Sequence, residues 1–287
     1  MSNCRKTKSE INHDEFYRRF TFRQNQLLTV KQQKAVKETV VAVIGLGANG
    51  APASEILIRF GFENLVLVEP DVVEISNLNS QPYALSDVGK RKADCIKKKL
   101  LKINPFSNIT VYNKGLNEDN VDIILQKSDI VLDAMDNYRA KVILCRQAKK
   151  KFKTIVHTAG GGYRGAVSTF PPIGISYEEL FHLPSLGRNI NEVTDNEFLE
   201  HRKEVASFFG KDMYPNEYIN RMNKKELFWP TLISGCLCAG SLSATEVLKN
   251  TIGHMNYLII APRILQFDTF RNIYKIFVFS SKMRSAW

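Results

Sequence analysis

The residues that could do chemistry in this chain fall in one ordered series. Gly45-Leu46-Gly47-Ala48-Asn49-Gly50 follows the apolar, β-branched run Val40-Val41-Ala42-Val43-Ile44 and precedes a helix-like stretch from Ala51 to Phe60. Glycines at a strand-to-helix turn let the backbone approach an anion with no Cβ in the way. The helix N-terminus behind them adds unpaired N–H groups and a partial positive charge. A second strand, Leu65-Val66-Leu67-Val68, ends at Glu69, where a carboxylate can accept hydrogen bonds from ribose hydroxyls. Alone, a glycine pattern of this kind is as readily a structural turn; the strand, the helix and the terminal acid in register turn it into a nucleotide site.

The residues after Glu69 narrow the nucleotide. Pro70 and Asp71 lead to Ser76-Asn77-Leu78-Asn79-Ser80-Gln81, then to Gly89-Lys90-Arg91-Lys92 and a helix ending near Ile103-Asn104-Pro105. A dehydrogenase spends this region on an adenine pocket, whereas clustered amides and lysines suit phosphate handling. Lys92 supplies a compact point charge and Asn77 a donor for a triphosphate. Asp136, after the apolar strand Ile130-Val131-Leu132, is placed to hold magnesium, which is usually bound by a carboxylate together with phosphate oxygens. Asp136-Asn137 also reads as the N-cap of a helix over Tyr138 to Lys150, and both roles fit one strand-to-helix junction.

Taken together, Glu69-Pro70-Asp71, Ser76 to Gln81, Gly89 to Lys92, Ile103-Asn104-Pro105 and Asp133-Ala134-Met135-Asp136-Asn137 resemble the family of ThiF, MoeB, HesA and the adenylation domains of ubiquitin-activating enzymes. The resemblance covers roughly residues 15 to 170 well and 225 to 270 more loosely. It implies attack of a carboxylate on the α-phosphate of ATP, giving an acyl-adenylate and pyrophosphate. Arg23, Lys92 and Asp136 take catalytic roles in this reading. The nucleotide is held by Gly45, Gly47, Gly50, Glu69, Asp71, Asn77, Gln81, Lys92 and Asn137, and magnesium by Asp136. Near the N-terminus, Arg18-Arg19-Phe20-Thr21-Phe22-Arg23-Gln24 is similar to the family's R-Y-x-R-Q segment with one extra residue, which leaves Arg19 and Arg23 as candidates. By the resemblance, one of them reaches across a homodimer to the γ-phosphate; the plainer reading is a surface arginine. No general base is required, because a carboxylate is already ionised at neutral pH.

Three departures qualify the resemblance. The family's arginine in S-N-L-x-R-Q is Ser80, with Lys90, Arg91 or Arg139 as the nearest replacements. Ser176-Tyr177-Glu178-Glu179-Leu180-Phe181 stands where relatives carry the first of two zinc-binding C-x-x-C pairs, and Cys4, Cys95, Cys145, Cys236 and Cys238 contain no such pair, so no zinc is expected. The stretch from about Leu183 to Lys225 holds no cysteine, so the crossover thiol of thioester-forming relatives is missing. Cys236 and Cys238, in a small-residue segment entering a helix from Ser241 to Lys249, read as buried packing.

The elements that must position these residues form an α/β fold: a Rossmann-like, doubly wound, mostly parallel sheet with an antiparallel C-terminal edge and a long crossover loop. Residues 1–36 form an N-terminal arm and helix and 37–287 an adenylation domain, with 183–230 as a mobile crossover. Thr154 to Ala159 is a strand running into Gly160-Gly161-Gly162, which serves either close approach to the adenylated carboxyl end or a plain loop. Tyr257 to Ala261, Ile264 to Asp268 and Tyr274 to Phe279 read as the antiparallel edge.

At 287 residues, 44% hydrophobic and 24% charged, the chain can bury a large core, and global disorder is excluded. Five scattered cysteines and no apolar run near the ~20 residues of a membrane helix point to a cytoplasmic protein with no membrane partner. The formal net charge of +11 is spread over solvated lysines such as Lys97-Lys98-Lys99 and Lys149-Lys150-Lys151, so no nucleic-acid partner is expected. The expected substrate is a ribosomally made peptide, as in microcin-type biosynthesis. The alternatives are a ubiquitin-like sulfur carrier, a regulatory subunit with weakened catalysis, for which Ser80 speaks, and, most weakly supported, an NAD-dependent oxidoreductase.

Overall fold

The computed structural model describes residues 11–201, 213–223 and 230–279. Short apolar runs at Val40–Ile44 (β1), Asn64–Val68 (β2), Asn108–Tyr112 (β3), Ile130–Asp133 (β4) and Thr154–Gly161 (β5) alternate with helices Gly50–Phe60 (α3), Lys92–Ile103 (α4), Val121–Gln126 (α5) and Tyr138–Lys150 (α6). Strands buried on both faces read as continuous Val/Ile/Leu, and helices with one apolar stripe cover them. The strands make one eight-stranded sheet in the order β3-β2-β1-β4-β5-β6-β7-β8. β1 to β5 pair in parallel, and Arg164–Phe170 (β6), Arg263–Asp268 (β7) and Ile273–Val278 (β8) extend the sheet antiparallel. The Rossmann-like expectation holds, with one apolar core on each face of the sheet.

At the N-terminus, helices His13–Phe20 (α1) and Val30–Glu38 (α2) clasp the end of α3. The buried Tyr17 hydroxyl donates to the Gly61 carbonyl (2.9 Å) and accepts from Gln33 Nε2 (3.0 Å). After β6 come the short helix Tyr177–Phe181 (α7), Asn216–Asn223 (α8) and the long Ile233–Thr251 (α9), which packs on α3 and β5.

Three local expectations change. The helix expected from Ser241 begins at Ile233, and its small residues serve helix packing. A Cβ on Gly240 would stand 3.0 Å from the Pro52 Cβ, and one on Gly235 3.1 Å from the Tyr163 carbonyl carbon. Cys236 is buried there, whereas Cys238 is half-exposed with Sγ 3.1 Å from the Tyr274 hydroxyl, so only the first is core packing. Tyr257 to Ala261 is not a strand. Met255–Tyr257 is a 3-10 turn, the following segment touches the sheet through the single bridge Thr169–Ile260, and β7 starts only after Pro262, which has no N–H to donate.

Where it is described, the expected crossover packs against the core. Leu183, Ile190, Val193 and Phe198 are buried in the core beneath it. Two α6 arginines hold its carbonyls: Arg146 donates to those of Ser185 (2.7 Å) and Arg188 (3.0 Å), and Arg139 to those of Ile190 (2.8 Å) and Val193. Residues 202–212 and 224–229 of this expectation lie outside the described residues.

Candidate nucleotide and substrate cleft

In an open α/β sheet, ligands sit beyond the carboxyl ends of the strands where the strand order reverses. Here that point lies between β1 and β4, and it places the glycine loop beside the Asp133 to Asn137 segment. Packing explains two of the three loop glycines. Gly45 has φ +88°, and a Cβ would meet the Ala134 carbonyl oxygen at 2.8 Å; a Cβ on Gly50 would lie 1.9 Å from the Gly45 oxygen. Gly47 is different, because nothing lies within 4 Å of the Cβ it lacks. The protein itself gives no reason for glycine there, and the open space is where an anion would approach. Helix α3 behind the loop has no side-chain cap on its N-terminal N–H groups.

The loop is clamped at Leu46 from two sides. Its N–H donates to Glu69 Oε2 (2.6 Å), and its carbonyl accepts from the Tyr83 hydroxyl (2.6 Å). Glu69 Oε1 also accepts from the Asp71 N–H (3.0 Å). Burial raises the Glu69 carboxyl above its usual range, against the lowering effect of these two backbone donors. In the structure Glu69 is a support for the loop. Tyr83 was not singled out in the sequence, where one tyrosine in a polar stretch carries no signal.

Lys92 opens α4. The Val72–Arg91 bridge and the Lys92 N–H bond to the Asp71 carbonyl (3.0 Å) fix its position, and its Nζ lies 3.1 Å from Asp71 Oδ2. Asn77 Oδ1 accepts from the Glu74 N–H, which leaves its amide group to donate. Gln81 Oε1 and Asn49 Oδ1 are closed off from water without a hydrogen-bond partner. Such atoms are rare in a native interior, and here they flank the glycine loop and the polar segment after β2.

Asp136 is exposed at the end of β4, and Asn137 caps α6 by accepting from the Ala140 N–H (3.0 Å), so the capping reading holds for Asn137. Ser80 is buried. Its three offered replacements are engaged elsewhere: Lys90 with the Ser86 carbonyl, Arg91 with that of Pro70, and Arg139 with the segment after α7. Arg23 stands exposed on the 3-10 turn Phe22–Gln24 and is not among the residues that line the cleft.

Beside Asp136 lies a cavity of about 270 Å³ between the ends of β4, β5 and β6, with Met213 and Tyr214 among its lining residues. Of the expected site residues only Asp136 borders it. The others that do, including Asn49, Tyr138, Lys141, His157, Arg164, Tyr177 and Phe181, come from distant parts of the chain and were not predicted as functional. The triple glycine contributes as well: Gly160 and Gly161 line the cavity from the end of β5, and the hairpin turns at Gly162.

Two lining residues, Lys141 and His157, form a buried charged trio with Asp133 behind them. Asp133 Oδ2 accepts from Lys141 Nζ (2.9 Å) and His157 Nδ1 (2.9 Å), and its Oδ1 from the Met135 N–H (3.0 Å). Burial alone would raise the Asp133 carboxyl, but the Lys141 charge and the His157 bond hold it down to about 2. Burial and the neighbouring Lys141 ammonium lower the His157 pKa, against the opposing pull of Asp133. The one available signal was a histidine and a lysine interrupting an apolar strand and an apolar helix face.

A doubly wound, mostly parallel sheet with a glycine loop at its switch point and antiparallel C-terminal strands defines a Rossmann-like α/β protein. The chain belongs to the ThiF family, whose pattern matches residues 22–285. It is 27% identical over 259 residues to a probable molybdopterin-synthase adenylyltransferase of Porphyra purpurea, covering 88% of this chain and 60% of the relative. It is 32% identical over 165 residues to a sulfur carrier protein adenylyltransferase of Thermus thermophilus (57% and 59%). To tRNA threonylcarbamoyladenosine dehydratase 1 of Saccharomyces cerevisiae it is 26% identical over 206 residues (67% and 48%). The chain spans about half the length of the curated relatives it matches. The fold is also that of E. coli MccB, solved with AMPCPP and MccA (TM-score 0.68, 18% identity, 94% of this chain and 73% of that one). No described helix is long and apolar enough to cross a membrane.

Proposed function

We propose that this protein activates a carboxylate on a peptide substrate with ATP, forming an acyl-adenylate and releasing pyrophosphate. The observation that carries the reading is the unfilled approach over Gly47 and the uncapped start of α3, with Lys92 and Asp136 as the charged residues of the adjoining motifs. The relatives named as adenylyltransferases support the reaction, and the MccB fold solved with MccA supports the peptide.

In this reading Gly45, Gly47 and Gly50 shape the phosphate loop, Glu69 takes the ribose hydroxyls, and Asn77 and Gln81 turn amides toward the nucleotide. Lys92 leaves Asp71 to neutralise the phosphates, while Asp71 holds the ammonium in place until they arrive. The carboxylate needs no base, so positioning and charge neutralisation supply most of the rate. Magnesium fits the residues present: Asp136 is an exposed carboxylate at the cleft, the kind of ligand that holds this ion together with phosphate oxygens. When bound, it offsets phosphate charge. Asn137 fixes the helix behind Asp136. Exposed Arg23 is available to a second copy of the chain, the homodimer in which it would reach the γ-phosphate.

ATP–pyrophosphate exchange with short peptides tests this. Exchange in the wild type, reduced about 10²-fold or more in Asp136→Ala, is the expected result; protection against heat by NAD and not by ATP would sink the reading. The relatives named for sulfur carriers favour a second substrate, a small carrier protein, and exchange supported by a carrier with a Gly-Gly tail and by no peptide would select it.

A further inference from the structure

The inner wall of the cavity takes no part in the proposed adenylation chemistry. Asp136 is exposed and marks the mouth, whereas His157, Tyr177, Phe181 and Lys141 are all more than nine-tenths buried and mark the interior. A volume of about 270 Å³ sits at the lower edge of small-molecule sites, roughly 300–1,000 Å³, which is room for one residue's side chain.

The cations of this cavity are paired, Lys141 with Asp133 and Arg164 with Asp268. Asp133 and Lys141 neutralise each other 2.9 Å apart, and burial favours the uncharged imidazole of His157. With both cations paired and Asp136 at the mouth, the wall offers an entering anion no uncompensated positive charge among the described residues. The hydrogen-bond geometry also assigns the histidine tautomer. Nδ1 lies 2.9 Å from Asp133 Oδ2, which can only accept, and 3.3 Å from Lys141 Nζ, which can only donate; the shorter contact, to the carboxylate, puts the proton on Nδ1 and leaves a lone pair on Nε2. Nε2 has no hydrogen-bond partner among the described residues, and it is not sealed from water as the unpartnered Thr158 hydroxyl is. Tyr177 stands edge-on to the ring, 4.9 Å between centroids, and helps to fix its orientation.

We propose that this cavity is a subsite for the side chain of the residue bearing the reacting carboxylate, and that His157 Nε2 selects a side chain with an apolar body and a terminal N–H or O–H donor. The inference rests on the adenylation reading and deepens it. Tyr138, Tyr177 and Phe181 contact the body, and Nε2 accepts from the tip. A glycine-ended carrier would leave both the cavity and the acceptor empty. Sites built around such a hydrogen bond discriminate strongly against partners that lack it.

The test compares one hexapeptide ending in Gly, Leu, Gln or Tyr, in pyrophosphate exchange and in calorimetric binding without ATP. A donor-ended peptide is expected to exceed the Leu peptide by about tenfold, through KM and not kcat, as one hydrogen bond predicts. In His157→Asn the carboxamide keeps a donor for Asp133 and has no atom at the Nε2 position, so the donor-to-Leu ratio falls to about one. A purely structural role would weaken every peptide alike and leave the ratio intact, which would overturn the proposal. Exchange that ignores the terminal residue would also overturn it while sparing the adenylation reading. Selective calorimetric binding without any exchange would do the opposite. Neither exchange nor selective binding would overturn both.

Discussion

Lys92 and Lys141 are both closed off from water and both paired with an aspartate at about the same distance, 3.1 and 2.9 Å, yet the two ends of the cleft use them differently. The partner of Lys92, Asp71, is 63% exposed along its side chain. Water can solvate that carboxylate if the ammonium swings away, so under the proposed function the pair can open toward a phosphate. The partner of Lys141, Asp133, is 1% exposed and shares its oxygen with His157. No solvent relieves it, so the pair is part of the framework. On the proposed function, the lysine that acts and the lysine that supports differ in the burial of the counterion, not of the lysine.

The largest effect that would sharpen this contrast comes from Lys141→Met. Removing one partner of a buried pair strands the other charge, at about 3–5 kcal/mol. Urea unfolding should show a loss of that size, and joint replacement of Asp133 and Lys141 by apolar residues should recover much of it. A loss under about 1 kcal/mol for Lys141→Met would show that water reaches Asp133 after all.

Next in size is a pair of loop substitutions. Gly50→Ala drives a methyl to 1.9 Å from the Gly45 oxygen, so backbone must move, and about 3 kcal/mol of stability should go with it. Gly47→Ala meets no protein atom, so its unfolding midpoint should stay within about 0.5 kcal/mol of wild type while ATP affinity falls. If both variants lose stability equally, the space over Gly47 is not an open approach for an anion.

The two ends also differ in sign with pH. Asp133 is depressed to about 2 from an ordinary 3.8, so its contribution is fully present above about pH 4 and disappears as the pH falls toward 2, at most about 2 kcal/mol. Glu69 is raised, so its contribution is greatest below its ordinary pKa and is lost as the pH rises through the folded value. Urea midpoints measured from pH 2 to 7 should therefore fall on the acid side in wild type, and this acid fall should flatten in Asp133→Asn. An acid slope unchanged in that variant would assign it to other carboxylates.

The unequal legibility of the two ends in the sequence has the same origin. The glycine loop, Glu69, Lys92 and Asp136 hang on backbone geometry at successive strand ends, and backbone geometry writes itself as fixed spacing: a turn needs Gly45 and Gly50 where they are. The cavity wall is assembled from β5, β6, α6 and α7, whose side chains meet only after the sheet turns antiparallel at Gly162. His157 and Lys141 could be seen as polar interruptions of apolar runs, but nothing in their spacing says that both face Asp133. The same limit hid the anchoring of the segment after α7, where two arginines of α6 reach carbonyls some forty to fifty residues away.

The smallest effect bears most directly on how Lys92 works. Asp71→Asn removes a charge that is mostly in water, and exposed pairs of this kind contribute about 0–1 kcal/mol, so stability should scarcely move. Nucleotide binding should respond more. If Asp71 only parks the ammonium, its loss frees Lys92 in the apo state, and ATP affinity measured by calorimetry should hold or improve slightly while the exchange rate is little changed. If Asp71 instead contacts the nucleotide or its metal directly, affinity falls several-fold with the fold untouched. A destabilisation approaching that of Lys141→Met would mean that Asp71 is structural, and the distinction between an opening pair and a fixed pair would fail at its weaker end.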